Sequence, residues 1–336
     1  MKRWLKLSLS GAVLVAAACG EQPSAPTQQG PEFSAASPSF ANLFASPGAH
    51  VHVLPPRVPA FLSEAGKLGG GGGKGTGIYY HGGPIISSPR IAAIYWSATT
   101  IYSGGPAPGT TGSGSSDGSL VGLFMRSLGG TGYWNINSTY TDGTGTHVGN
   151  VLAYTQFWAD NTDVPASGSS VSDAAVQAEV VKGLDSGALT YDASTLYAVF
   201  SANGVNLGGG FGTQYCAYHG HFTWNGNDVK YAVMPYDAQY PSACTDGTGI
   251  SPTSDFPAAA EVNTLAHETE ETATDEDLNA WYDRRGYENA DKCAWNFGAT
   301  SKGSTGTYNE TIGGVNWLIQ MNWVNANSGG CVQHWP

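Results

Sequence analysis

The sequence predicts a layered α/β domain. Three observations support this: continuous apolar runs of strand length, helical spacing between them, and one acidic helix late in the chain. The first run, "RIAAIYW" (90 to 96), is bounded by turn residues and does not alternate, as expected of a strand buried on both faces. After a Gly/Ser/Pro-rich loop (103 to 118), "SLVGLFMRSLG" places Leu, Val and Phe at helical spacing behind Ser119, a residue suited to cap a helix. "SDAAVQAEVVKGL" predicts a second helix from Ser172 to Leu184. "TLYAVFSA" (195 to 202) and "VKYAVMPY" (229 to 236) are two further buried strands, and an acidic helix follows over Ala258 to Ala273. "VNWLIQMNWV" (315 to 324) is the last strand candidate. Strands alternating with helices in this order point to α/β layering rather than to a β-sandwich.

Ahead of this domain the chain begins with a basic "MKRWLK", an apolar "LSLSGAVLVAAA" and small residues before Cys19, the pattern of an export signal. The apolar run is too short to cross a bilayer core of about 30 Å. Cys19 fits a bacterial lipobox, in which it would be lipidated and become the new N-terminus. Ala16 to Ala18 also fit an ordinary cleavage site, which would mean simple secretion. From residue 19 to 77 the chain is rich in Pro, Ser, Ala, Gln and Gly and ends in "LGGGGGKGTG", a tether composition that buries too little to offset its ordering entropy. Within it, "VHVLPPRVPAFL" reads as an extended spacer, with a short docking segment as the alternative. The expected division is a signal peptide (1 to 18), a tether (19 to 77) and a single domain (78 to 336).

With Cys19 assigned to lipid, Cys216, Cys244, Cys293 and Cys331 remain. Pairing nearest neighbours gives Cys216 with Cys244 and Cys293 with Cys331, although four cysteines allow two other connectivities. No close C-x-x-C spacing suggests a cysteine metal site. The 14 basic and 26 acidic residues give a net charge of −12 and form no basic cluster, which excludes nucleic acid as an expected partner. No phosphate-cradling loop precedes a helix, and no G-x-S-x-G lies between a strand and a helix.

The chemistry concentrates in "LAHETEETATDED" (265 to 277), where six acidic side chains fall between Glu268 and Asp277 and the next Lys or Arg is Arg284. On a helix, Asn263, His267 and Glu271 share one stripe, with Glu268 one residue round from the histidine. The motif is H-E-x-x-E, a relative of the zinc signature H-E-x-x-H in which the intervening Glu is the general base. A glutamate in place of the second imidazole suits zinc or a harder divalent ion. The acids also approach the negative end of the helix dipole, which makes a cation favourable. A helix end solvated by water and salt is the bland alternative. A third ligand is expected from "AWYDRRGYENADKCAW", with Glu288 first, Asp291 next and Asp283 also a candidate; either of the first two could instead orient His267. In "YCAYHGHF" a period of two puts His219 and His221 on one strand face, where either could line a cleft or replace Glu288 as ligand. Tyr282 and Asn263 are further cleft candidates.

The segments "YYHGGPIISSPRIAAIYW", "YTDGTGTHVGN", "YCAYHGHF", "LAHETEETATDEDLNAWYD" and "ENADKC" together resemble the EXORDIUM, or phosphate-induced, protein family over Tyr79 to Cys331. Asn289 and Ala290 stand where that family tends to have an aliphatic and a small residue. The resemblance implies an extracellular or exported protein more than it implies a reaction. The helix motif separately resembles that of zincin metallopeptidases, which implies a zincin-like layered domain with its active-site helix late in the chain. Two functions follow as expectations. The first is an exported zinc-dependent, peptidase-like hydrolase with His267, Glu271 and Glu288 or Asp291 as ligands, Glu268 as base, and a peptide or cell-wall-associated substrate. The second is a non-catalytic cell-envelope module whose cluster holds calcium or zinc structurally while its aromatics meet glycans or protein partners. In either case a monomer is expected, with membrane contact only through Cys19.

Overall fold

The computed structural model describes residues 51–57, 77–246 and 251–336; the signal peptide, Cys19 and most of the expected tether lie outside them. The principal sheet has seven strands: β1 (Val51–Leu54), β2 (Arg90–Trp96), β3 (Thr110–Ser113), β4 (Ala153–Ala159), β5 (Thr195–Ser201), β6 (Ala217–Trp224) and β7 (Asn227–Met234). Their spatial order is β1-β6-β7-β5-β2-β4-β3. The central pairs β7/β5, β5/β2 and β2/β4 are parallel, and β1/β6, β6/β7 and β3/β4 are antiparallel.

The continuous apolar runs form the parallel strands because both faces are covered. Along β2, Ile91, Ala93 and Tyr95 enter one apolar cluster, while Ala92, Ile94 and Trp96 enter another on the opposite face. α1 (Leu120–Leu128) contributes to the first cluster and α2 (Asp173–Asp185) to the second. Both helices start as expected, with the side chains of Ser119 and Ser172 accepting from Gly122 N and Ala175 N. β6 and β7 are joined by Asn225 and Gly226, whose φ of 50° and 79° match the two-residue hairpin turn that twists with its strands.

The expected spacer needs correction. Val51–Leu54 is an antiparallel edge strand of the main sheet, with His52 opposite His219. Alternation in "VHV" was the signal, obscured by the surrounding low-complexity composition. The last strand candidate also divides, into Val315–Trp317 and Asn322–Val324, which belong to separate two-stranded hairpins.

The acidic helix, α3 (Phe256–Thr274), is polar in sequence yet buried from Ala258 to Thr274. Its Asp255 cap accepts from Ala258 N, and Thr269 and Thr272 return their hydroxyls to the carbonyls of Leu265 and Glu268. At the other end the carboxylate of Asp275 accepts from the amides of Asn279 and Ala280. The reading of a solvated acidic helix end is therefore overturned: Glu268, Glu270, Glu271 and Asp275 are fully buried, and Glu276 pairs with Lys230 at 2.7 Å.

Two buried acids of this region sit away from the histidines. Thr264 Oγ1 donates to Asp237 Oδ2 (2.6 Å), and Asp237 N donates to Glu261 Oε2 (3.3 Å). Burial raises both carboxyls, Glu261 to about 8, so the folded chain keeps protons that the unfolded chain loses from about pH 4 upward. Stability from this pair is therefore lost as pH rises toward 8. Glu261→Gln is expected to flatten the fall in melting temperature between pH 5 and 8, as read by thermal denaturation. An unchanged pH profile would exclude the pair as its source.

The disulfides are Cys216–Cys244 and Cys293–Cys331, with Cα separations of 5.2 and 5.7 Å, the pairing of nearest neighbours. Such bonds persist in oxidising compartments, and among the described residues no helix is long and apolar enough to cross a membrane. The second bridge closes a separation of 38 residues. Its removal in the double variant Cys293→Ser/Cys331→Ser is expected to cost about 4 kcal/mol and roughly 10 °C in melting temperature, measured by calorimetry.

Candidate metal centre

Four parts of the fold bring three imidazoles and four carboxylates together. β1 supplies His52, β6 supplies His219, and α3 supplies His267, Glu268 and Glu271. The turn after α3 supplies Glu288 and Asp291, all seven being buried or nearly so. His219 reaches the helix because its neighbour on β7 is the small Ala232. Asp291 N donates to Glu271 Oε1 (2.9 Å) and Glu288 N donates to Asp291 Oδ2 (3.1 Å), which ties the turn to the helix. Cys293, within the short helical turn Asp291–Cys293, anchors the same segment through its disulfide.

His52 Nε2 lies 2.5 Å from Asp291 Oδ2 and 3.9 Å from Glu271 Oε2, and its Nδ1 lies 3.3 Å from Glu288 Oε1. His219 Nδ1 contacts Glu268 Oε2 at 2.9 Å, and its Nε2 lies 3.8 Å from Glu288 Oε2. His267 Nε2 is 3.1 Å from Glu271 Oε1 and 3.5 Å from Asp291 Oδ1. Within this centre two three-residue sets have ligand atoms close enough to share one ion, His52/Glu271/Asp291 and His219/Glu271/Glu288, and Glu271 belongs to both.

Electrostatics show the strain of this arrangement. Burial opposes a charge on His52, but Asp291 and Glu271 outweigh it and raise its pKa to about 9. His267 is raised in the same way, with Glu271 foremost against burial. Burial lowers His219, helped by His52 and His267, so this ring stays neutral. Burial raises Glu268 and Glu288 and opposes ionisation of Asp291, whose pKa His52 and His267 nevertheless depress.

Several atoms of the donor set have the free lone pairs that a cation would take. His219 Nε2, His267 Nε2, Glu268 Oε1, Glu271 Oε2, Glu288 Oε2 and Asp291 Oδ1 are buried without a hydrogen bond, a situation that normally costs kilocalories for each group. Neutral His219 that donates Nδ1–H to Glu268 carries its lone pair on Nε2, facing Glu288, which is the carboxylate–imidazole arrangement that orients metal ligands. His267 differs. Its Nδ1 lies 3.0 Å from Gln320 Nε2, an amide that also donates to Ala290 O. It can therefore join the set through Nε2 only if Gln320 turns its oxygen toward the ring. Buried imidazole and carboxylate groups arranged in this way could hold a metal ion.

The remaining candidates are dispersed. Asp283 is paired with Lys292 (2.9 Å) and Arg285 (3.3 Å), away from ligand duty. His221 joins Asp228 and Asp277 in a separate, half-exposed group, beside which Lys230 holds Asp228 at 2.9 Å. Asn263 accepts from Gln320 N (2.8 Å), which fixes the segment next to His267, and it also lines a small pocket with Phe256, Ala260 and Leu318. Tyr282 stacks on His81 with ring centroids 3.7 Å apart. His52 was missed as a ligand candidate in the sequence, and His219 stands deeper in the centre than a cleft position.

No family model, curated protein or solved structure matches the chain.

Proposed function

We propose that this chain is an exported metal-dependent hydrolase, peptidase-like in chemistry, whose centre is built on the H-E-x-x-E helix. The observation behind this reading is the gathering of buried imidazole and carboxylate atoms without hydrogen bonds from three segments, β6, α3 and the turn after it, around Glu271. Glu271 is the shared ligand, with His219, Glu288, Asp291 and, after rotation of Gln320, His267 completing the set. A divalent ion bound there, zinc in this reading, supplies a Lewis acid that polarises a carbonyl and acidifies water. Glu268 keeps one oxygen on His219 and has Oε1 free to accept a proton as general base. The late position of α3 against a mixed sheet agrees with a zincin-like layering, the resemblance to the EXORDIUM family agrees with export, and the lipobox-like residues before Cys19 support a lipid anchor. The test is hydrolysis of a quenched peptide library by the full chain, with and without zinc. Chelation is expected to abolish turnover.

A second reading is favoured by one observation: all seven side chains are buried or nearly so, those of His52 and Asp291 being 7% and 2% exposed. In that reading the ion is structural and the protein is a cell-envelope module for glycan or protein partners. Chelation would then lower stability in a chain that hydrolyses nothing.

A further inference from the structure

The closure of the centre has a specific cause in the fold. Among the elements over it, β1 is a four-residue strand at the sheet edge with one neighbour, β6. It nevertheless delivers the imidazole nearest to Asp291. The segment that follows it, residues 58 to 76, contains five consecutive glycines, Gly69 to Gly73. All of the other donors come from β6 and from the later part of the chain, so β1 alone joins the centre from the far side of that glycine run.

We propose that the outer edge of β6 is an acceptor site for an extended peptide, and that Val51–Leu54 occupies it as an intramolecular blocking strand with His52 on the centre. This deepens the proposed function, and only the role given to His52 rests on that reading. The features of the site fit a strand-shaped ligand. Backbone pairing runs antiparallel from Val51 opposite Gly220 to Leu54 opposite Ala217, extended by Cys216 N donating to Leu54 O (2.8 Å). Val51, Val53 and Leu54 enter the apolar cluster on the α2 face of the sheet, while His52 faces His219 with ring centroids 5.7 Å apart. Beyond the strand, Trp295 Nε1 donates to Pro55 O (2.9 Å) and Arg57 N donates to Ala243 O (2.7 Å). Pro55 and Pro56 lack the amide hydrogens that would continue the ladder, which ends the pairing at Leu54. Recognition through backbone and alternate side chains is how sheet edges bind extended peptides. The partner class is therefore a peptide with apolar residues on either side of a residue that points at the centre.

The probe is a fluorescein-labelled peptide of residues 50 to 57, added to the full chain and to its Val53→Asp variant, with bound metal quantified in both. Val53 is buried against the sheet, so the charge should unseat β1. The variant is expected to bind the probe at least tenfold more tightly than the parent, whose site is filled. Equal binding by the two, in a variant that keeps its far-ultraviolet circular dichroism, would overturn the proposal. Hydrogen exchange on the unaltered chain covers the case in which the variant does not fold. Amides of Val51 to Leu54 should exchange at least tenfold faster than those of Tyr231 to Val233, and equal protection would make β1 an integral strand. Metal content reads the centre and anisotropy reads the edge, so each can fail alone. Probe binding by a metal-free variant would retain the acceptor site and reject the ion.

Discussion

Replacing Glu271 with alanine is expected to remove the bound ion and to destabilise the protein together. Glu271 belongs to both sets of ligand atoms, and its Oε1 also accepts from Asp291 N. Losing it leaves Glu288 and Asp291 beside His52, His219 and His267 without the carboxylate they share. Breaking a buried charged set of this kind costs about 3 to 5 kcal/mol. Affinity for zinc should fall by at least roughly a hundredfold, since even the outer partners of ligands are worth about 10 to 100-fold. Metal analysis after dialysis and thermal denaturation read the two effects. Glu276→Gln, which alters an acid paired with Lys230, should leave metal content unchanged. A Glu271→Ala protein with full metal content would place the ion elsewhere.

The second large effect is expected from Glu268→Gln, and it separates chemistry from structure. The amide oxygen of glutamine can still accept from His219 Nδ1, where Glu268 Oε2 now lies at 2.9 Å. Fold and metal should therefore survive, while the group able to take a proton is gone. General bases contribute roughly 10²- to 10⁴-fold to rate, so hydrolysis of a responsive peptide should fall by about that factor at unchanged zinc content. If metal content falls instead, Glu268 acts by orienting His219, and the module reading gains.

What could be read in the sequence follows from the range of the interactions involved. The strands "RIAAIYW" and "TLYAVFSA" and the helices capped by Ser119 and Ser172 were legible because their signals are local: apolar runs, helical spacing and a hydroxyl at a helix start. H-E-x-x-E was legible for the same reason, since two residues one turn apart announce themselves without the rest of the fold. The burial of the acids was not legible. It depends on β6, β7, α1 and the 134–139 turn packing around α3, which no local pattern encodes. His52 was hidden for a different reason. A four-residue strand carries little periodicity, and it is surrounded by proline, glycine and serine, so only pairing with β6 reveals it. Lys230 is a third case, because the charge that balances Glu276 lies 46 residues earlier in sequence but on a neighbouring strand.

The central claim is that a divalent ion neutralises the imidazole and carboxylate atoms gathered around Glu271. Metal quantification on the purified full chain, after exhaustive dialysis with and without chelator, tests it most directly. The account predicts about one zinc per chain, held through dialysis, removed by chelator with a fall in melting temperature, and regained on addition of zinc. A folded chain that carries no ion and whose melting temperature does not respond to zinc, calcium or chelator would contradict it.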